Sequence, residues 1–368
     1  MKIAMSCAGE GFGHVSRMIG FAQGLRSRHE LVLFAPQTVQ HHIRRSLPDA
    51  EVVTIPHFHL VKQDDRINYP RTLRENLVKF VQFRGAVRRI RRELARRHID
   101  AVISDFDPYL PAAARAISLP ILQVNHPGVV TRYASLAPDA VIARATARLM
   151  MGYADRYMYV SFYNGDVGPI LREQFDRVQV TRGDYYVVYL KPSYRRHVTA
   201  QLQRLGVTNY RLFPSDEHDF VASLAGCKGV ITSAGHQSLS EAVTLGKPVF
   251  AIPQRGQFEQ RLNAAMLARS GWGRKGRFGN LQRSLGAFIR SIDSYPRQTA
   301  RNSCAYRRGG VQYRFVNDRE RAVQMIEKFI QDYAGTDSLQ RAILNMQHGI
   351  ASMQHGFTAI LQNIGLAG

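Results

Sequence analysis

The strongest constraint on this chain is a rhythm: short apolar runs alternate with amphipathic helical periods along most of its length. Runs that short suit strands buried on both faces, and the periods between them suit crossover helices, so the sequence demands parallel sheets. Residues 2–6 read as a first strand and 15–28 as the helix behind it, with later strands at 30–35 and 101–104. Over 77–97, Phe80, Phe83, Val87, Ile90 and Leu94 are spaced for one helix face, and the arginines fall largely opposite. The series then restarts, with strands at 185–190, 229–232 and 248–252. We therefore expect two doubly wound α/β domains, residues 1–165 and 184–318, divided in the polar stretch 164–183. A helix at 319–334 follows and can cross back to the first domain.

Charge is the next constraint. The net charge of +22 is concentrated: residues 84–97 carry seven arginines against Glu93 alone, and 255–314 carry thirteen Lys or Arg against Glu259 and Asp293. Such clusters suit a polyanionic partner, either an anionic membrane leaflet or nucleic acid, with a merely solvated basic face as the alternative. Cys7, Cys227 and Cys304 form no CxxC pair and no metal-ligand spacing, which points to a reducing compartment. The start of the sequence leaves no room for a signal-peptide core, and no run of about 18 apolar residues is present. A cytoplasmic protein, peripheral at the inner face of the membrane, is the expectation. Near the end, Leu339, Ile343, Met346, Ile350, Met353, Phe357, Ile360 and Ile364 recur at alternating spacings of four and three, with no charged residue after Arg341. That heptad seam over 337–366 predicts an amphipathic helix covered by a second subunit, by its own protein or by a membrane interface.

Three segments carry chemistry. The loop at 7–14 follows the first strand with Gly9, Gly11 and Gly13, which let the backbone approach a ligand where a helix begins, although their spacing is not that of a dinucleotide loop. His14, at the start of that helix, either packs as a cap or takes a proton at the cleft rim. At the carboxyl end of a later strand stand Asp105 and Asp107, either of which can hold the histidine in a dyad or cap the next helix. Their DxD spacing also raises a divalent metal, but no further ligand cluster is nearby, and we expect none.

The most specific segment begins at Ile231 and reads ITSAGHQSLSE, then LGKPV, then PQRGQFEQ through Asn263 and Ala264. A strand ends in Ser233-Ala234-Gly235 and a helix begins near His236, where backbone N–H groups suit a diphosphate. Glu241 can reach back to ribose hydroxyls, and Gln257, Glu259 and Gln260 after the next strand suit the hydroxyls of a sugar.

These residues resemble the donor-binding region of GT-B glycosyltransferases, in particular those related to the lipid II N-acetylglucosaminyltransferase and the diacylglycerol glycosyltransferases. Gly9 to Arg17 matches a GxGxGHxxR pattern, and Thr232 to Ala264 matches TSAGxxSLxEAxxLGKPVxxxPxxGQxEQxxNA. The resemblance covers about residues 1–330. It implies a GT-B fold, two Rossmann-like domains facing across a cleft, and a nucleotide-sugar co-substrate, a UDP-sugar, with no further cofactor. It places Gly235 and His236 on the diphosphate, Glu241 on the ribose, and Glu259 with Gln260 on the sugar. Gly11, Gly13, Phe213, Ser233, Gln237, Ser238 and Gln257 complete the expected donor set. At Leu190-Lys191-Pro192-Ser193, where many relatives carry a Gly/Ser-rich loop, Lys191 and Ser193 are the candidates for phosphate contact. His14, assisted by Asp105 or Asp107, would deprotonate the acceptor, giving inversion. A lipid or lipid-linked acceptor at an anionic membrane surface is the first expectation. A nucleic-acid or small-molecule acceptor, or a sugar-nucleotide 2-epimerase of the same fold, are the alternatives.

Overall fold

A computed structural model of the chain describes residues 1–59, 61–63, 66–67, 69–295, 305–333, 335–336, 340–341, 343–344 and 346–347. The heptad seam predicted over 337–366 lies largely outside the described residues.

The first half builds a six-stranded parallel sheet from β1 (Lys2–Cys7), β2 (Glu30–Ala35), β3 (Glu51–Thr54), β4 (Ala101–Asp105), β5 (Ile121–Asn125) and β6 (Arg156–Tyr159). Their spatial order is 3-2-1-4-5-6. β4 and β5 are buried along their whole length, as strands covered on both faces must be. On one face lie α1 (Phe12–Leu25) and α2 (Gln37–Ser46), packed through Val15, Met18, Phe21, Val39 and Ile43. On the other lie α3 (Tyr69–Arg96) and α4 (Tyr109–Arg115), packed through Ile90, Leu94, Leu110 and Ala113. α5 (Pro138–Met151) completes this half.

α1 begins at Phe12, ahead of the expected Val15, so His14 lies inside its first turn. α3 begins at Tyr69 rather than near Leu77, with a proline in its first turn, where a missing N–H costs nothing. Asn76 anchors the added turns, accepting from His59 N at 3.1 Å and donating to His59 O at 2.8 Å.

After the one-turn helix α6 (Gln174–Arg177), the second half forms a five-stranded parallel sheet. Its strands are β7 (Tyr186–Tyr189), β8 (Tyr210–Phe213), β9 (Gly229–Ser233), β10 (Val249–Ile252) and β11 (Gly273–Lys275), in the order 8-7-9-10-11. α7 (Pro192–Arg204), α8 (Phe220–Gly226), α9 (His236–Thr244), α10 (Phe258–Ser270) and α11 (Leu281–Arg290) cover it. A hairpin, β12 (Ala305–Arg308) and β13 (Val311–Arg314), leads to α12 (Arg319–Tyr333).

α12 packs on α1, burying Val323, Ile326, Phe329 and Ile330 in the first core at about 2 kcal/mol each. The chain thus passes between the halves twice, and the two passages are bonded to each other. Asp318 Oδ2 accepts from Gly168 N at 2.7 Å, Asn317 Oδ1 accepts from Leu171 N at 3.0 Å, and Arg319 pairs with Asp176. No helix among the described residues is long and apolar enough to cross a membrane.

In a doubly wound sheet the ligand crevice opens where strand order reverses. That point falls between β1 and β4 in the first sheet and between β7 and β9 in the second. Both places are met in the cleft between the halves.

Candidate active site

At the first switch point, Cys7 ending β1 lies in register with Asp105 ending β4. The loop out of β1 turns at Gly11, whose φ of 73° favours glycine, and enters α1. Gly13 closes against the other half: a Cβ there would stand 3.3 Å from Gln237 Cβ. His14 then projects to the end of β4, its Nδ1 2.8 Å from Asp105 Oδ1. Arg17, one turn on, grips the same carboxylate through Nε at 2.7 Å and Nη2 at 2.8 Å. Burial alone would push the Asp105 carboxyl up; Arg17 and His14 outweigh it and hold the group below its ordinary value. Phe106 adopts a φ of 60°, an uncommon state for a bulky residue, and in doing so stacks on His14 with ring centroids 5.7 Å apart.

Asp107 does something else. It accepts from Tyr109 N at 3.1 Å and Leu110 N at 2.9 Å, capping α4, and burial pushes its pKa up to about 6. Of the two carboxylates weighed as partners of the histidine, the structure brings only Asp105 to it.

At the second switch point β9 ends at Ser233, Gly235 precedes α9, and the first backbone N–H groups of α9 open to the cleft with Gln237 and Ser238. The His236 side chain lines the cleft but is engaged within the protein. It is 4% exposed, its Nε2 accepts from Phe162 N at 3.2 Å, and its ring stacks on His126 at 3.6 Å between centroids. Burial pushes its pKa well below the ordinary value, with His126 and Arg17 adding to the effect, so the ring is neutral. Its position at the helix start suits an anion.

Glu241 lines the cleft from the next turn, 3.9 Å from Arg172 and accepting from Gln237 Nε2 at 3.2 Å; burial raises its pKa. Phe213 and Phe220 stand edge to face at 5.2 Å, with Tyr189 5.3 Å beyond, an aromatic wall beside Glu241. Lys191, at the start of α7, faces this wall, whereas Ser193 does not. Ser193 lines a separate depression behind α7 with Tyr194, His197 and Phe278, so its expected phosphate contact is corrected.

Gln257 stands just ahead of α10 at the cleft and Glu259 follows it, 3.7 Å from His126 Nε2. Burial raises the Glu259 pKa against the pull of His14 and Arg17. Gln260 Oε1 accepts from Gln254 N at 3.0 Å and so shapes the loop that carries the trio. Between the switch points, His126 bonds Val160 O through Nδ1 at 3.1 Å and meets Asn263 Oδ1 at 3.0 Å; burial drives its pKa down to about 3.

The cleft holds about 1980 Å³, enough for two substrates at once, since a small-molecule site runs to roughly 300–1,000 Å³. Its first-domain side carries an apolar group, Phe58, Phe80, Phe83, Leu149 and Met150, beside the polar His41, His42, Arg45 and His59. Sequence reasoning missed Arg17, Phe106 and His126. The first was visible as the last residue of the GxGxGHxxR pattern; the other two left no signal. Among the described residues no cluster of His, Cys, Asp or Glu is set to hold a metal ion.

Two doubly wound sheets facing across a cleft at both switch points define a GT-B glycosyltransferase. Residues 1–213 and 193–293 match glycosyl transferase family 1, and the chain belongs to that family. An uncharacterized glycosyltransferase of Methanosarcina acetivorans is 22% identical over 332 residues, 74% of this chain and 85% of that one. Among solved structures, the glycotransferase of kitacinnamycin superposes with a TM-score of 0.57 at 14% identity, covering 89% of this chain and 98% of that one. LpCGTa in complex with UDP does so at 0.55 and 14% identity, covering 94% and 98%. At such identities the likeness is one of fold.

Proposed function

We propose that the protein transfers a sugar from a UDP-sugar to the hydroxyl of a lipid or lipid-linked acceptor at an anionic membrane surface, with inversion and without a resident metal. The observation that carries this reading is the meeting of two helix N-termini, of α1 and α9, across a cleft whose acceptor wall holds an imidazole on a buried carboxylate. Residues 184–318 bind the donor. Tyr189, Phe213 and Phe220 flank the base, Glu241 takes the ribose, and the first turn of α9 meets the diphosphate. Gln257, Glu259 and Gln260 surround the sugar. LpCGTa, of the same fold, was crystallised with UDP, which supports a uridine donor here.

Residues 1–165 hold the acceptor. His14 Nε2 takes the hydroxyl proton as the oxygen bonds to the anomeric carbon. The bond from that carbon to the diphosphate oxygen breaks on the opposite face, and its electron pair leaves with UDP. The developing charge meets the N–H groups of α9 and α1. Metal independence is supported by the same geometry: Asp105 is engaged by His14 and Arg17, and Asp107 by the start of α4.

The lipid acceptor is supported by Phe58, Phe80, Phe83, Leu149 and Met150 on the first-domain side of the cleft and by the outer side of α3. There Leu77, Val78 and Val81 are 57%, 61% and 78% exposed, and the exposed Arg84, Arg88 and Arg91 follow on the same helix. Apolar residues rimmed by arginines suit an anionic leaflet. Purified protein offered a panel of nucleotide sugars should release UDP, faster with anionic vesicles carrying lipid hydroxyls than with neutral ones. Thermal stabilisation by NAD or ATP above that by UDP would overturn the donor reading. Removing residues 337–368 is expected to reduce sedimentation with those vesicles and to leave UDP binding unchanged.

A further inference from the structure

Arg17 is 2% exposed, and a guanidinium that deep is costly unless carboxylate oxygens take its donors. Asp105 supplies both, in a bidentate pairing at 2.7 and 2.8 Å. The oxygen shared with Nη2 is also the one that faces His14, and Nη2 stands 3.2 Å from His14 Nδ1. Two donors at that separation do not bond each other; they converge on a common acceptor. An ionised carboxylate only accepts, so Nδ1 must carry its hydrogen and Nε2 keeps the lone pair.

The charges add a second consequence. In a bare histidine–carboxylate pair, a proton arriving on the imidazole cancels the carboxylate's charge. Here the guanidinium has cancelled it already, so that proton brings an unbalanced charge into a buried place. Around the ring stand Arg17 from α1, Asp105 from β4, His126 from the turn after β5 and Glu259 from α10. Among these only Arg17 is a permanent cation.

We propose that Arg17 is a positioning residue for the transfer: it fixes Asp105 so that His14 presents Nε2 to the cleft, and its charge keeps His14 ready to accept a proton. The inference rests on the reading of His14 as base.

The test is a titration of full-length protein labelled with ¹⁵N-histidine, the His14 signal being the one lost in His14→Gln. Arg17→Gln should raise the His14 midpoint by about one pH unit. Arg17→Lys should leave the midpoint near wild type and weaken the Nδ1–H tautomer, because an ammonium lacks the fork. An unmoved midpoint in folded Arg17→Gln overturns the proposal. If Arg17→Gln does not fold, Arg17→Lys decides, and a wild-type tautomer balance there overturns it. The titration needs neither donor nor acceptor. An inactive His14→Ala together with an unmoved midpoint in Arg17→Gln sinks this inference alone, whereas an active His14→Ala together with a moved midpoint in Arg17→Gln sinks only the catalytic role of His14.

Discussion

The two switch points solve one topological problem with opposite electrostatics. Between β1 and β4 the cleft floor is ionic: Asp105 is held charged by Arg17 and His14 although it is buried. Between β7 and β9 the buried groups run the other way. His236 and its stacking partner His126 are driven neutral by burial, and Glu241 is pushed toward its protonated form. A parallel sheet provides the place in both cases; what differs is how closely the permanent countercharge is held. Arg17 grips Asp105 through two hydrogen bonds, and a proton can be moved beside that fixed pair. Arg172 stands 3.9 Å from Glu241, and burial outweighs it, which suits holding a ligand more than reacting with it.

That contrast can be broken by experiment. The largest effect belongs to the ionic side: His14→Ala should lower turnover by ~10²–10⁴ and leave donor affinity nearly unchanged, read by single-turnover kinetics beside calorimetry with UDP. Equal loss of donor affinity would erase the division of labour. On the other side, Glu241→Ala should weaken UDP binding by ~10–100-fold, as for a lost hydrogen bond to a charged group, with a smaller change in kcat.

The contact between the halves at His126 makes its own prediction. His126 has a folded pKa of about 3 against an ordinary 6.5. A depressed value means that its stabilising contribution is present above pH 6.5 and is lost as pH falls. By about pH 5 the loss should reach about 2 kcal/mol, with His236 acting in the same direction. Tm should therefore fall on acidification, and His236→Gln should flatten the slope; an unchanged slope would place protonation elsewhere. Smallest of all, Ser193→Ala should change donor affinity by less than about twofold, because Ser193 lies behind α7.

Much of this was legible in the sequence. Strands at 30–35 and 249–252 and the helix start at His236 follow from buried apolar runs and from a small-residue turn, which are local signals. The fate of side chains was less legible, because it depends on register. Whether Asp105 or Asp107 meets His14 is decided by the parallel pairing of Cys7 with Asp105, a contact across 98 residues. His126 shows no motif at all, and its stacking on His236 exists only once the halves close. Arg17 was visible as a letter in a pattern, but its partner lies 88 residues away.

The paired passages between the halves have a mechanical consequence. Because 168–171 and 317–319 are laced together, the second half hangs from the first by a two-ply strap and not by a single thread. A strap of two bonded plies bends readily about one line and resists torsion. Cleft opening should therefore resemble the swing of a door, returning the α9 start to the same spot above His14 at each closure.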